Sequence, residues 1–108
     1  MAFQIGSSLL DACVLSVLDS GDAYGYQLTQ QIRALFDISE STLYPVLRRL
    51  QKEGALETYD EPYQGRNRRY YRLTGKGRGL SEEYCREWMQ FREKIDGFLA
   101  KREQHDKE

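Results

Sequence analysis

The sequence has few of the residues from which catalytic and metal sites are built. Its single histidine, His105, lies in a polar tail, and its two cysteines, Cys13 and Cys85, are far apart. With so few candidates, a serine or cysteine nucleophile lacks a base, and no familiar metal-ligand spacing arises. Each cysteine falls in an apolar helical pattern, which favours buried, reduced thiols over a disulfide. We therefore expect a protein that is not an enzyme and that needs no metal and no cofactor.

Long hydrophobic runs are also missing. The longest apolar stretch, residues 9–18, is interrupted by Asp11 and Ser16 and is too short to span a membrane. It has neither a basic flank nor a small-residue cleavage site, so it does not match a signal peptide. We expect a cytoplasmic protein without membrane contact. A composition of 40% hydrophobic and 31% charged residues argues against disorder, and 108 residues fit one small domain.

Neither sign of charge dominates the whole chain, because the formal net charge is only −1. The distribution is nevertheless uneven. Between positions 48 and 78 nine basic residues stand against four acidic ones, whereas both flanking segments are acidic overall. The basic residues are Arg48, Arg49, Lys52, Arg66, Arg68, Arg69, Arg72, Lys76 and Arg78. A positive field confined to one segment suits contact with a phosphate backbone.

Three short helical patterns occupy the first half of the chain. Residues 8–20 are apolar around most of a helix, which predicts a buried helix. A second helix is predicted at about residues 24–36, with Asp22 as its cap. Its inward face carries four apolar side chains at helical spacing, namely Leu28, Ile32, Leu35 and Phe36.

A third helix is predicted at about residues 42–52, closed by Gly54. Ser39 or Ser41 is positioned to cap it, and Pro45 lies inside it, where proline removes a backbone hydrogen bond. Its apolar residues share one face and are expected to point inward: Leu43, Val46, Leu47 and Leu50. The opposite face is polar and basic.

The pattern then changes to that of a β-hairpin. Residues 55–61 and 69–74 are β-compatible, and in the second strand Tyr71 and Leu73 are expected to face inward. Pro62 and Gly65 mark the turn, which predicts a loop of five or more residues. This arrangement assigns Arg66 and Arg68 to the tip of the hairpin and Arg69 to the start of a strand.

A long closing helix follows, with Thr74 as its predicted cap. Three glycines at positions 75, 77 and 79 weaken its first turn, so we expect a regular helix only from about Leu80. One stripe of this helix is apolar and is formed by Leu80, Tyr84, Trp88, Phe91, Ile95 and Phe98. The charged residues 101–108 are expected to fray.

Three helices followed by a basic hairpin predict a mainly α fold with a small β-hairpin, a winged helix-turn-helix. In this layout the third helix enters the major groove of double-stranded DNA, and the hairpin, or wing, lies along the neighbouring backbone. The predicted DNA-binding residues are Tyr26, Ser41, Thr42, Tyr44, Arg48, Arg49, Lys52, Arg66 and Arg68. Tyr44 has an alternative role in packing against the wing. The alternative function is a winged-helix module that binds an acidic protein partner.

Three sequence blocks resemble the PadR family of bacterial transcriptional regulators. They are Tyr-Gly-Tyr-Gln-Leu at residues 24–28, Ser-Thr-Leu-Tyr-Pro-Val-Leu-Arg-Arg-Leu-Gln-Lys-Glu-Gly at 41–54, and Arg-Tyr-Tyr-Arg-Leu-Thr at 69–74, followed by Gly77. The resemblance covers about residues 8–100 and accounts for Pro45 within the third helix. It implies a homodimeric repressor of a palindromic operator, with residues 1–78 as the DNA-binding domain and residues 79–108 as the dimerisation helix and tail.

The single C-terminal helix is similar to that of the short PadR subfamily, which includes multidrug-responsive regulators. In that subfamily a tryptophan corresponding to Trp88 stacks planar aromatic molecules at the dimer interface. Here Trp88 is either such an effector-binding residue or a core residue of the interface, and the two roles can coexist. The residues expected in dimerisation or effector binding are Leu9, Cys13, Leu80, Tyr84, Trp88, Phe91 and Ile95. Tyr70 and Tyr71 are expected to pack the strand, because stacking of RNA bases would need a sheet of more than two strands.

Overall fold

The computed structural model describes the backbone of residues 7–106 and the side chains of residues 9–100. Its elements, in chain order, are α1 (Ser7–Asp19), β1 (Ala23–Tyr24), α2 (Gly25–Leu35), α3 (Glu40–Lys52), β2 (Leu56–Tyr63), β3 (Arg66–Leu73) and α4 (Gly75–Asp106). The predicted fold class is confirmed, since the molecule is mainly helical with a small antiparallel sheet. The side chain of His105, in the polar tail, lies outside the described side chains.

The hydrophobic core lies between the first three helices and the inner face of the sheet. It contains the apolar side chains predicted to point inward from α3 and β3. Its largest fully buried members are Leu15, Leu28, Ile32, Leu43, Leu47 and Leu50. Leu35 was wrongly assigned to the inward face of α2, because it is the last residue of that helix and is 73% exposed.

The sheet has three strands in the order β1-β3-β2, one more than the predicted hairpin. The additional strand is only two residues long, and Ala23 and Tyr24 pair with Tyr71 and Tyr70 of β3. Because this strand takes up Tyr24, α2 begins at Gly25. Asp22, predicted as the cap of α2, instead accepts a hydrogen bond of 2.7 Å from the Tyr59 hydroxyl.

The hairpin turn is tighter than predicted. Strand pairing continues to Tyr63 and Arg66, which leaves only Gln64 and Gly65 in the turn, at φ angles of 50° and 79°. Positive φ at both central residues matches the twist of the two strands. Pro62 lies within β2 rather than in the loop, because β2 is an edge strand, where proline leaves no ladder donor missing. The predicted long loop was therefore wrong, and Arg66 opens β3.

Helix α3 begins at Glu40, two residues earlier than predicted, with Ser39 as its N-cap. The Ser39 hydroxyl lies 2.8 Å from the Ser41 hydroxyl and 3.1 Å from the Thr42 hydroxyl, while the Ser39 carbonyl accepts from the Thr42 amide. Pro45 lies inside the helix, which continues to Lys52. The serines thus tie together the first turn of the helix that bears the basic face.

Helix α4 begins at Gly75 and not at Leu80. The predicted cap is confirmed, because the Gly77 amide donates a 3.0 Å hydrogen bond to the Thr74 hydroxyl. Helix α4 runs antiparallel to α1, since Arg78 lies 3.6 Å from Asp19 at one end of the contact and Tyr84 approaches Asp11 further along. The molecule is elongated, with a longest extent of 67 Å.

The two cysteines differ in environment. Cys13 in α1 is partly buried, and burial raises the pKa of its thiol. Cys85 in α4 is exposed, so the expectation of a buried thiol was wrong for this residue. The reason is that α4 packs on α1 along one side only, which leaves Cys85 at the margin of that contact.

Candidate nucleic-acid interface

The outward face of α3 brings together four of the predicted DNA-binding residues. Ser41, Tyr44, Arg48 and Lys52 follow one another at intervals of three or four residues, so they share one side of the helix. All four are exposed. This face joins two cations to two hydroxyl groups, which are groups that bind phosphate oxygens and base edges.

Arg49 belongs to a different side of α3 from its neighbour Arg48. One of its terminal nitrogens lies 2.5 Å from the Asp11 carboxylate on α1, and the other lies 3.6 Å from Glu53 one turn along. The hydrogen bond that Arg49 donates to Asp11 raises the pKa of the Arg49 guanidinium. The prediction that Arg49 faces DNA therefore does not match its placement, because its guanidinium is turned toward α1.

The inner face of the wing lies on the same side of the sheet as α3. Gln51 of α3 reaches Thr58 of β2 at 3.5 Å, and Thr58 pairs with the buried Tyr71 of β3. Since side chains alternate along a strand, Arg69 lies on this same face, two residues before Tyr71. Burial raises the pKa of Tyr71, whereas the nearby cations Arg69 and Arg48 lower it. Both cations thus act on one hydroxyl at the junction of α3 and the wing.

The outer face of the wing carries an arrangement of arginines and tyrosines. The Arg68 guanidinium carbon lies 3.6 Å from the centre of the Tyr63 ring and 4.4 Å from that of Tyr24. Tyr59 and Tyr70 are stacked, with ring centres 5.5 Å apart and planes 11° apart. The sheet has more than two strands, as stacking of RNA bases would require. The rings on this face nevertheless pack against one another and against the Arg68 guanidinium. Arg68 is thus held between two rings on the face away from α3.

The remaining predicted contacts lie at the edges of this surface. Tyr26, in the first turn of α2, is 56% exposed, and its ring lies 6.3 Å from that of Tyr24. Arg66 is exposed beside the hairpin turn. Arg69 is absent from the predicted DNA-binding residues, although its spacing of two from Tyr71 is the signal that places it on the inner face.

A groove separates α1 and the end of α2 from α4. Its volume is about 480 Å³, and four residues predicted for dimerisation or effector binding line it: Leu9, Cys13, Tyr84 and Trp88. Leu80 and Tyr84 pack partly against the core, whereas Trp88, Phe91 and Ile95 are 45%, 56% and 40% exposed. The groove is largely apolar, and its acidic lining side chains are Asp19 and Glu82. An apolar surface of this kind suits a flat hydrophobic molecule or another protein surface.

Three helices, a three-stranded sheet with a basic hairpin and a basic third helix define a winged-helix DNA-binding fold. Residues 14–83 match the model of the transcriptional regulator PadR-like family. The chain belongs to this family of transcriptional regulators. Among the described residues, 7–106, none of the helices combines the length and hydropathy that a bilayer crossing requires.

Similar proteins support this assignment. The smu.1704 protein of Streptococcus mutans UA159, whose crystal structure is known, is 37% identical in sequence to this chain. The match covers 93% of this chain and 94% of the smu.1704 chain, and the two structures superpose with a TM-score of 0.87. A PadR family transcription regulator from Clostridium difficile R20291 is 29% identical, with coverage of 83% and 97% and a TM-score of 0.77. The transcriptional regulator Rv3488 of Mycobacterium tuberculosis is 40% identical over 57% of this chain and 59% of its own.

Proposed function

We propose that this chain is a homodimeric transcriptional repressor that binds a palindromic operator and is released by a planar aromatic molecule. The observation that carries the DNA-binding part is the exposed face of α3 with Arg48 and Lys52, beside which the wing presents Arg69. The family to which the chain belongs consists of transcriptional regulators. The effector is proposed because the C-terminal helix with Trp88 resembles that of the short multidrug-responsive subfamily.

The proposed contacts divide between the major groove and the backbone. Arg48 reads a base edge through its two-pronged guanidinium, while Tyr44 and Lys52 bind flanking phosphates. Ser41 and Thr42 donate to a phosphate at the first turn of α3, and that helix end itself favours an anion. The wing contributes Arg66 and Arg69, with Tyr26 reaching the backbone from α2. Arg68 instead stabilises the wing, because its guanidinium packs on the rings of Tyr24 and Tyr63.

The proposed dimer forms through α4. Beyond Trp88 this helix continues for about 27 Å, at 1.5 Å for each residue. Five of its large apolar side chains are between 40% and 74% exposed, namely Trp88, Phe91, Ile95, Phe98 and Leu99. A contiguous apolar stripe of this size is a typical protein-binding surface. A second copy packed on the stripe also places two α3 helices on one duplex, about 34 Å apart, and thus accounts for a palindromic operator.

Repression follows from the position of such a dimer on a promoter, where it excludes polymerase. Release follows if an effector in the groove changes the distance between the two α3 helices. The groove is apolar, and the indole of Trp88 offers a flat surface on which an aromatic ring can stack. Its carboxylates, Asp19 and Glu82, favour an uncharged or cationic molecule over an anion.

Binding to the DNA upstream of the chain's own gene tests the proposal most directly. We expect a symmetric footprint with two half-sites, and an affinity that falls steeply as salt concentration rises. Arg48→Ala is expected to relax base preference at one position in each half-site. The matched control is Arg92→Ala, which removes an exposed arginine on α4. The proposal fails if neither this DNA nor a pool of random duplexes is bound at low salt.

Two further measurements test the dimer and the effector. Light scattering is expected to give twice the chain mass, and a double substitution of Phe91 and Ile95 to Ser is expected to lower it. Titration of planar aromatic compounds is followed through the emission of Trp88, the single tryptophan of the sequence. Unchanged emission and unchanged DNA affinity across a chemically varied set would exclude effector release.

A further inference from the structure

Asp11 is a buried carboxylate in an otherwise apolar helix. It is 4% exposed, and it lies on α1 among the leucines and valines of the core. A buried carboxylate is stable only when its oxygens are bonded, so its partners show which parts of the molecule depend on it. These partners come from two different elements, α3 and α4.

The two carboxylate oxygens of Asp11 have separate partners. Oδ1 accepts a 2.5 Å hydrogen bond from Arg49 of α3, and Oδ2 accepts a 3.4 Å hydrogen bond from the hydroxyl of Tyr84 of α4. Arg49 lies next to Arg48, which carries the outward basic face of α3. Tyr84 lies one helical turn before Trp88, and both line the groove. A short chain of polar contacts therefore runs from the groove, through α1, to the helix proposed to read DNA.

We propose that Asp11 is a positioning residue that couples the groove beside α4 to the orientation of α3, through Tyr84 and Arg49. This inference rests on the proposed DNA-binding function. A molecule or a second copy that contacts the Tyr84 ring alters the bond of its hydroxyl to Asp11. The carboxylate then shifts toward its remaining partner, and Arg49 moves with it and turns α3 relative to α4. Coupling of this kind is reciprocal, so DNA on α3 must also be sensed in the groove.

Tyr84→Phe is the variant that tests the coupling, because it removes one hydroxyl and keeps the ring that lines the groove. Ser81→Ala is the matched control, since Ser81 lines the same groove one turn earlier on α4. Asp11→Asn is the second variant and keeps the shape of the side chain without its charge. For each protein we measure affinity for the duplex that the wild type binds, and the emission of Trp88 as that duplex is added.

The wild type and Ser81→Ala are expected to bind equally and to change Trp88 emission when DNA is added. Tyr84→Phe and Asp11→Asn are expected to bind DNA at least about fivefold more weakly, with a reduced emission change. Equal melting temperatures of Tyr84→Phe and the wild type would separate coupling from a general loss of stability. An affinity change of less than fivefold in Tyr84→Phe, or an emission response equal to that of a responding wild type, overturns the coupling. The coupling is also overturned if the wild type binds DNA without any change in Trp88 emission. A wild type that binds no duplex instead overturns the proposed function, and the coupling with it.

Discussion

Arg68 and Tyr63 form the closest cation–π contact of the wing, with 3.6 Å between the guanidinium carbon and the ring centre. Tyr24, in the strand on the other side of β3 from Tyr63, lies 4.4 Å from the same guanidinium carbon. Because Tyr63 ends β2, Arg68 lies in β3 and Tyr24 lies in β1, this one side chain connects all three strands. Its main effect is expected on the stability of the wing.

Arg68→Ala is expected to lower the free energy of unfolding by about 1–2 kcal/mol, since it removes two partly exposed cation–π contacts of about 0.5–1 kcal/mol each. For a domain of this size, each kcal/mol corresponds to roughly 4–8 °C in melting temperature. Arg66→Ala is the control, because Arg66 is exposed beside the turn. Calorimetry at equal protein concentration measures both variants. Equal melting temperatures would contradict a structural role for Arg68.

Arg69→Ala is expected to act on DNA affinity and not on stability. Its side chain is 64% exposed, and its partner Asp60 lies 3.7 Å away, so the ion pair contributes little to folding. If Arg69 binds a phosphate, its loss reduces the slope of log affinity against log salt by about one. Gel shifts over a salt series measure this slope. A slope equal to that of the wild type would exclude the contact.

Asp60→Asn is the companion to that experiment. It keeps Arg69 and removes the neighbouring carboxylate, so it leaves the guanidinium free to bind phosphate. We expect DNA affinity to rise or to stay the same, with the wild-type salt slope retained. A loss of affinity as large as that of Arg69→Ala would mean that the pair, and not Arg69 alone, shapes the wing.

The sequence predicted those parts of the fold that depend on local periodicity. The apolar positions of α3 recur at helical spacing, and Tyr71 and Leu73 alternate along β3, so both inward faces could be predicted. Strand β1 could not, because two residues carry no periodic signal and pair only after β3 is in place. The tight turn was missed because Pro62 indicates a loop until the position of β2 at the sheet edge is known.

The site was predicted in outline, but the orientation of individual arginines was not. Arg48 and Arg49 are neighbours in the sequence, yet a helical step of about 100° turns one outward and the other toward α1. The sequence shows that Asp11 interrupts an apolar helix. It does not show that the partner of this aspartate is Arg49, 38 residues later, because that contact depends on packing of α1 against α3.

The Tyr59–Asp22 hydrogen bond predicts a change in stability at alkaline pH. It raises the pKa of Tyr59 from 10.0 to about 12, chiefly because the Asp22 carboxylate accepts a hydrogen bond from the protonated phenol. The bond therefore stabilises the fold below pH 10, the unfolded value, and this contribution is lost as pH rises through 12. Chemical denaturation across this range is expected to show a steeper loss in the wild type than in Tyr59→Phe. Tyr63→Phe, an exposed control, should keep the wild-type slope, and identical slopes in all three proteins would contradict the prediction.

Alanine substitutions at two glycines near the start of α4, Gly77 and Gly79, are expected to have opposite effects on stability. A Cβ at Gly77 would overlap the carbonyl oxygen of Ala55 and lie 2.8 Å from a methyl group of Leu73. Gly77→Ala must therefore push α4 away from β3 and from the segment that connects α3 to β2, which we expect to lower the free energy of unfolding by about 2–3 kcal/mol. A Cβ at Gly79 would meet none of the described atoms within 4 Å.

Gly79→Ala is therefore expected to raise the free energy of unfolding by about 0.5–1 kcal/mol, since alanine favours a helix interior over glycine. Urea denaturation of both variants gives the sign directly. The comparison is matched because both changes add one methyl group to the same helix, two residues apart. If both variants gain stability, Gly77 does not lie against the Ala55 carbonyl, and the start of α4 must pack differently on the wing. If both lose stability, the glycines act through the backbone of the first turn.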